Sequence, residues 1–202
     1  MEPPTMTSGN ARPGSRERLL QAASGLLRQR GYHAMGLKEV AKTGEAPIGS
    51  VYHYFPGGKE QLAEEALRSA GDATGRALAT VAADADSVES LIAGTFELMT
   101  SGLIASGFKN GCPIATAVLE VSGESSAIQA VGREVFQSWH QIYQDRFCEL
   151  GLSGDDSRIL TTALLCGLEG ALIMSRASGD RVELDTLQTA ITRLGRQLAC
   201  AQ

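Results

Sequence analysis

The sequence predicts an all-α chain of about nine helices, and three observations carry that prediction. Apolar residues recur at spacings of three and four along most of the chain, alternation of period two is nowhere sustained, and most interruptions of the helical pattern contain glycine or proline. With 202 residues and 43% hydrophobic side chains, the chain can bury a sizeable core without disulfide or metal staples.

The first 14 residues hold three prolines, two glycines and no apolar periodicity, so residues 1–14 read as a disordered arm. Leu19, Leu20, Ala22, Ala23, Leu26 and Leu27 then recur at helical spacing until Gly31, which predicts a first helix over residues 15–30. Lys38, Val40, Ala41 and Lys42 make a short amphipathic helix, Gly44 to Pro47 supply a turn, and a second short helix runs over residues 48–55. Pro56 and the Gly57-Gly58 pair end it, and Lys59 opens a long helix reaching residue 82. Further helical patterns cover residues 87–106, 113–122, 125–150, 155–177 and 183–199, separated at Gly107, Gly123, Gly151 and Gly179. The expected organisation is an arm over residues 1–14, a three-helix head over 15–58 and a larger helical body over 59–202.

Composition narrows the function classes. Cys112, Cys148, Cys166 and Cys200 form no CxxC pair and sit at no metal-ligand spacing from a histidine, so neither metal nor cofactor is expected. Without an apolar leader or an uninterrupted apolar run of roughly 20 residues, the chain reads as a reduced, cytosolic protein with no membrane partner. The net charge of −5 is unevenly placed: residues 1–60 carry +3 and residues 61–202 carry −8. A basic head on an acidic body can attract phosphate locally, although +3 in sixty residues is also compatible with chance.

Two short helices joined by a tight turn form the layout that places a second helix in a DNA major groove. Pro47 is acceptable at the start of that helix, and Gly49 and Ser50 near it leave backbone N–H groups free for phosphate. Tyr52 and His53 can reach phosphate or base edges, Val51 and Phe55 pack inward, and Tyr54 falls between. Lys38 and Lys42, four apart on one helix face, can add phosphate contacts. The alternative is a helical hairpin whose Tyr52, Tyr54 and Phe55 are simply core.

The ordered string GYHAMGLKEVA followed by YHYFPGGKEQL resembles the DNA-binding domain of the TetR family of bacterial regulators, and more narrowly its YxaF/LmrA-like branch. The resemblance is close over residues 15–68 and is echoed at GCPIATAVLE. It implies that Lys59 binds phosphate, that the second short helix reads an operator, and that the body dimerises through its last helices and encloses a small-molecule pocket. Glu45 stands where the family commonly has glycine, Pro47 where a serine cap is common, and Ile48 where a basic residue is frequent, while Gly57-Gly58 adds one residue before Lys59. Pro47 and the double glycine match the narrower branch.

The body offers residues for both tasks. Leu160, Ala163, Leu164, Gly167, Leu168 and Ala171, with Leu187, Ile191 and Leu194 on the last helix, can form a four-helix interface between two copies or an ordinary monomer core. Two recognition helices about 34 to 36 Å apart would then read a palindromic operator. Phe136, Trp139, Tyr143 and Phe147 fall on one helical stripe with His140 beside it, and Phe96, Met99 and Leu103 can face it. That stripe is either core or the wall of a site for an apolar or aromatic effector. Glu169, the lone charge between Arg158 and Arg176, is paired at an interface or serves the pocket as acceptor or counter-charge. His140 is a core or rim histidine or a ligand donor, and Cys112, just ahead of a helix, is a small buried residue or a thiolate sensor.

The resulting expectation is a ligand-responsive homodimeric repressor that an effector releases from DNA. A regulator switched by a protein partner or by cysteine oxidation, and an all-α hydrolase built on Cys112 or Glu169 with His140, are the rivals. The hydrolase lacks any nucleophile, base and orienter spacing, so no catalytic residue is assigned.

Overall fold

The computed structural model describes residues 13–121 and 123–200, which puts most of the expected arm outside the described residues. Among the described residues there are nine helices and no strand: α1 (Ser15–Ala34), α2 (Leu37–Thr43), α3 (Ile48–Tyr54), α4 (Gly58–Asp84), α5 (Val88–Ala105), α6 (Pro113–Val121), α7 (Ser126–Glu149), α8 (Gly154–Ser178) and α9 (Val182–Cys200).

Their ends follow from local chemistry. Ser87 caps α5 by accepting from the Ser90 N–H, and the Ser90 hydroxyl accepts from the Ser87 N–H in return. The side chains of Ser125 and Ser153 accept from the N–H groups of Ile128 and Asp156, which starts α7 and α8. Asp155 and Asp156 in the first turn of α8 favour its positive end, and Gly179 closes it in the left-handed conformation (φ 76°). The first helix does not stop at Arg30. Gly31 adopts φ 80°, ψ −175° inside α1, and helical hydrogen bonding resumes for one more turn to Ala34.

The long helix α4 packs chiefly on α7, and it also lies against α1. Close approach of α4 and α7 is set by Gly71, where a Cβ would come within 2.5 Å of a Val135 methyl, and the Trp139 indole N–H crosses to the Gly71 carbonyl at 3.1 Å. Helix α1 packs on α6, α8 on α7 and α9, and α5 on α9. The buried apolar side chains form one cluster from Leu19 to Ile191, so the core is continuous across residues 58 and 59. Helices α5 and α8 are long and apolar enough to cross a bilayer by length and composition, although charged residues interrupt both. Both contribute to this common core, and α8 carries the partly buried Glu169 at mid-length.

Candidate nucleic-acid interface and effector cavity

In α3, burial divides the helix by residue. Val51 and, at its end, Phe55 are fully buried, with the Arg16 guanidinium 5.6 Å from the centre of the Phe55 ring. On the other side Pro47, Ile48, Gly49, Tyr52 and His53 are exposed, Tyr52 by 58%, while Ser50 and Tyr54 are half-buried. The His53 and Tyr54 rings meet edge to face at 4.9 Å. Lys38 and Lys42 project into solvent from α2. A helix held by an apolar back and presenting aromatic and polar tips is suited to a groove lined with phosphates and base edges.

The turn between α2 and α3 is held from α1 by a residue the sequence pattern does not single out. Arg18 donates from Nε to the Gly44 carbonyl (3.0 Å), from Nη2 to the Glu45 carbonyl (3.2 Å) and from Nη1 to the Pro13 carbonyl (2.7 Å). Glu45 takes a left-handed conformation (φ 48°), the position where the family commonly has glycine, and Arg18 clasps that turn. Nothing in the spacing of residues 18 and 44 announces this contact, because it depends on how α1 crosses the pair.

Lys59 is engaged differently from the expected phosphate contact. Its Nζ donates to the His33 carbonyl at 3.0 Å and stands 4.6 Å above the Tyr32 ring, so the ammonium joins the start of α4 to the end of α1. The double glycine sets this position: Gly58 adopts φ 70° as α4 begins.

A cavity of about 600 Å³ lies between α1, α4, α5, α8 and the segment before α6. Leu20, Ala73, Met99, Leu103, Trp139 and Leu172 supply its apolar wall, and Arg28, Asn110, Cys112 and Glu169 supply polar groups. Four of the eight residues expected around an effector therefore line it: Met99, Leu103, Trp139 and Glu169. The others lie elsewhere. Phe96 and Tyr143 are fully buried core, and the Tyr143 hydroxyl shares a 2.9 Å hydrogen bond with Thr95, burial pushing its ionisation upward. Phe136 packs edge-on against the Trp139 ring at 5.6 Å without reaching the cavity, and a His140 ring nitrogen sits 3.2 Å from the Thr162 hydroxyl on α8. The stripe fails as a wall because a helix climbs about 1.5 Å per residue, so Trp139 and Phe147 stand about 12 Å apart along α7, and the cavity opens only at the level of Trp139.

Burial pushes the Cys112 thiol well above its ordinary range, and the Glu169 carboxyl beside it pushes further in the same direction. Of the two readings of Cys112, burial beside an acid favours the small buried residue over the thiolate sensor. Burial likewise raises the Glu169 carboxyl, and its contact with Cys112 works against that rise.

The cavity shares residues with the joint that fixes the end of α1. The Gly111 N–H donates to the Arg28 carbonyl (3.3 Å), and Arg28 and Gly111 both line the cavity. At the other end of α6, Glu120 accepts from the His33 N–H at 2.8 Å, and a Cβ on Gly31 would lie 1.5 Å from its Oε1. It is the backbone angles of Gly31 that call for glycine at the break inside α1, and the Glu120 carboxylate lies in the space its missing side chain leaves.

Comparison with known proteins places this geometry. Residues 19–66 match the family described as bacterial regulatory proteins, tetR family, and residues 88–190 match the transcriptional regulator LmrA/YxaF-like C-terminal domain. The chain belongs to the TetR family. The regulator YxaF of Bacillus subtilis is 31% identical over 193 residues, covering 93% of this chain and 98% of its own. LmrA of the same organism is 29% identical over 181 residues, covering 89% and 96%. The repressor NemR of Escherichia coli is 54% identical over 41 residues, 20% of this chain and 21% of its own. Among solved structures, a TetR regulator from Legionella pneumophila superposes with a TM-score of 0.83 at 20% identity, covering 91% of this chain and 98% of that one. As a TetR-family member, the chain is a transcriptional regulator that binds DNA through its helix-turn-helix, and it is not an enzyme.

The surface of this regulator on α8 differs from the stripe expected at a dimer interface. Leu160, Leu164, Leu168 and Ala171 of α8 and Ile191 of α9 are buried inside the chain's own core. Ala163, Gly167, Leu187 and Leu194 are half-buried, and a Cβ on Gly167 would come 3.0 Å from the Leu187 side chain, so Gly167 lies at the seam between α8 and α9. The outward stripe is Ile159, Thr162, Cys166, Gly170, Ile173 and Met174, with Ile159, Ile173 and Met174 each at least 50% exposed. Because α8 is apolar on both sides, periodicity marks two stripes and cannot say which one the rest of the chain covers.

Proposed function

We propose that this protein is a ligand-responsive repressor: two copies bind a palindromic operator through α3, and a small apolar or aromatic compound entering the cavity releases it. The observation that carries this reading is that Arg28 and Gly111 belong at once to the cavity wall and to the joint holding the end of α1. A compound that moves the segment before α6 pulls on α1, and α1 fixes the α2–α3 turn through Arg18. Operator affinity falls by the ratio of the compound's affinities for the two arrangements of the head. A head over residues 15–58 on a body over 59–202 is the division this mechanism uses, with the outward stripe of α8 as the contact between copies. Repression rather than activation is drawn from the relatives, one of which is named a repressor.

The test is binding of the purified protein to DNA from upstream of its own gene, in moderate salt with competitor, with and without hydrophobic compounds. Specific binding that one compound abolishes supports the reading. Specific binding that no cavity-sized compound changes, or release by a compound that persists in Ala73→Phe, overturns the effector role of the cavity.

A further inference from the structure

The chemistry inside the cavity points to a class of ligand, an inference that rests on reading the cavity as the effector site. Glu169 projects from the middle of α8 into the wall and makes no ion pair among the described residues. What faces it is the Cys112 thiol, a weak donor that cannot neutralise a carboxylate. Burial raises the Glu169 carboxyl, and no guanidinium contributes to offsetting that cost. Arg28 and Arg76 also border the cavity, Arg76 from its exposed side and Arg28 partly buried, but neither pairs with Glu169.

A buried acid without a cation is satisfied best by a ligand that brings one, because a charge-assisted contact in a poorly hydrated site is stronger than a neutral one. The same wall holds Trp139, whose ring is the best aromatic partner for a cation. We propose that the cavity takes an apolar compound bearing a single positive charge, a protonated amine or a quaternary centre, with that charge at Glu169 and its hydrocarbon body against Trp139, Met99 and Leu103. Arg28 Nε and Asn110 Oδ1, both buried without a partner at this wall, offer one donor and one acceptor to further polar substituents of the ligand.

Tetraphenylphosphonium and tetraphenylborate, nearly equal in shape and opposite in charge, are suitable probes. Trp139 is the single tryptophan of the chain, so quenching of its fluorescence reads occupancy directly. The wild-type protein is expected to bind the phosphonium at least 10-fold more tightly. Glu169→Gln erases that preference, Glu169→Asp keeps it, and Ala73→Phe, which fills the cavity without adding a second tryptophan, blocks both probes. Equal affinities, or a preference for the borate, overturn the cationic class while leaving the cavity as a binding site. Quenching by neither probe, or quenching that persists in Ala73→Phe, overturns the cavity itself together with the class assigned to it.

Discussion

Helices α3 and α8 both carry a buried face and an exposed one, yet their exposed faces ask for different partners. On α3 the solvent side presents Tyr52 and His53 beside the lysines of α2, which suits a charged, hydrated groove. On α8 it presents Ile159, Ile173 and Met174 around Cys166 and Gly170, an apolar stripe with small residues that suits another protein surface. The buried faces are chemically alike, with Val51 and Phe55 in one and Leu160, Leu164 and Leu168 in the other. Function is therefore legible in what a helix leaves outside, and stability in what it puts inside.

Substitutions on the two sides of α8 break this contrast most strongly. If the outward stripe joins two copies as proposed, Ile173→Glu should give monomers in sedimentation measurements, and it should lower affinity for a two-half-site operator by about 100-fold, because the linked second contact is lost. A dimer that survives with unchanged operator affinity would move the interface off this stripe. Leu164→Ala, earlier on the same helix and facing inward, should instead cost about 2 to 5 kcal/mol in denaturant unfolding of the chain.

Smaller effects separate the head residues from one another. Tyr52→Ala should weaken operator binding by about 1 to 3 kcal/mol while stability stays within about 0.5 kcal/mol, since its ring is mostly exposed. Lys42→Ala should reduce the slope of log K against log salt by about one per subunit with little change in unfolding. Lys59→Ala should do the reverse: its ammonium is tied to His33 and Tyr32, so unfolding shifts and the salt slope holds. A lowered slope in Lys59→Ala would restore the phosphate contact that the family resemblance implies.

The least conspicuous prediction concerns pH. Glu169 has its folded carboxyl raised above the unfolded value, so its stability contribution is fully present below the ordinary carboxylate range and is lost as pH rises through the folded value. Glu169→Gln should therefore melt slightly above the wild type near neutrality, with the difference shrinking on acidification. A difference that grows in acid would show that the carboxyl is not desolvated in the native state.

Local rules determined where helices begin and end, because caps, glycines and apolar spacing act within a few residues of one another: Ser87, Ser125, Gly179 and the Pro56-Gly57-Gly58 break are readable one turn at a time. They also determined the inward and outward sides of α3, where Val51 and Phe55 are the apolar pair and their neighbours differ from them in polarity. The sides of α8 required the tertiary structure, since a helix apolar all round carries no label for the face its own chain covers. The same holds for the level of α7 at which the cavity opens, for the clasp of Arg18 on the Gly44 and Glu45 carbonyls, and for the meeting of Cys112 with Glu169. Each joins residues far apart in sequence, and such a contact is fixed by how helices cross, which no short-range pattern records.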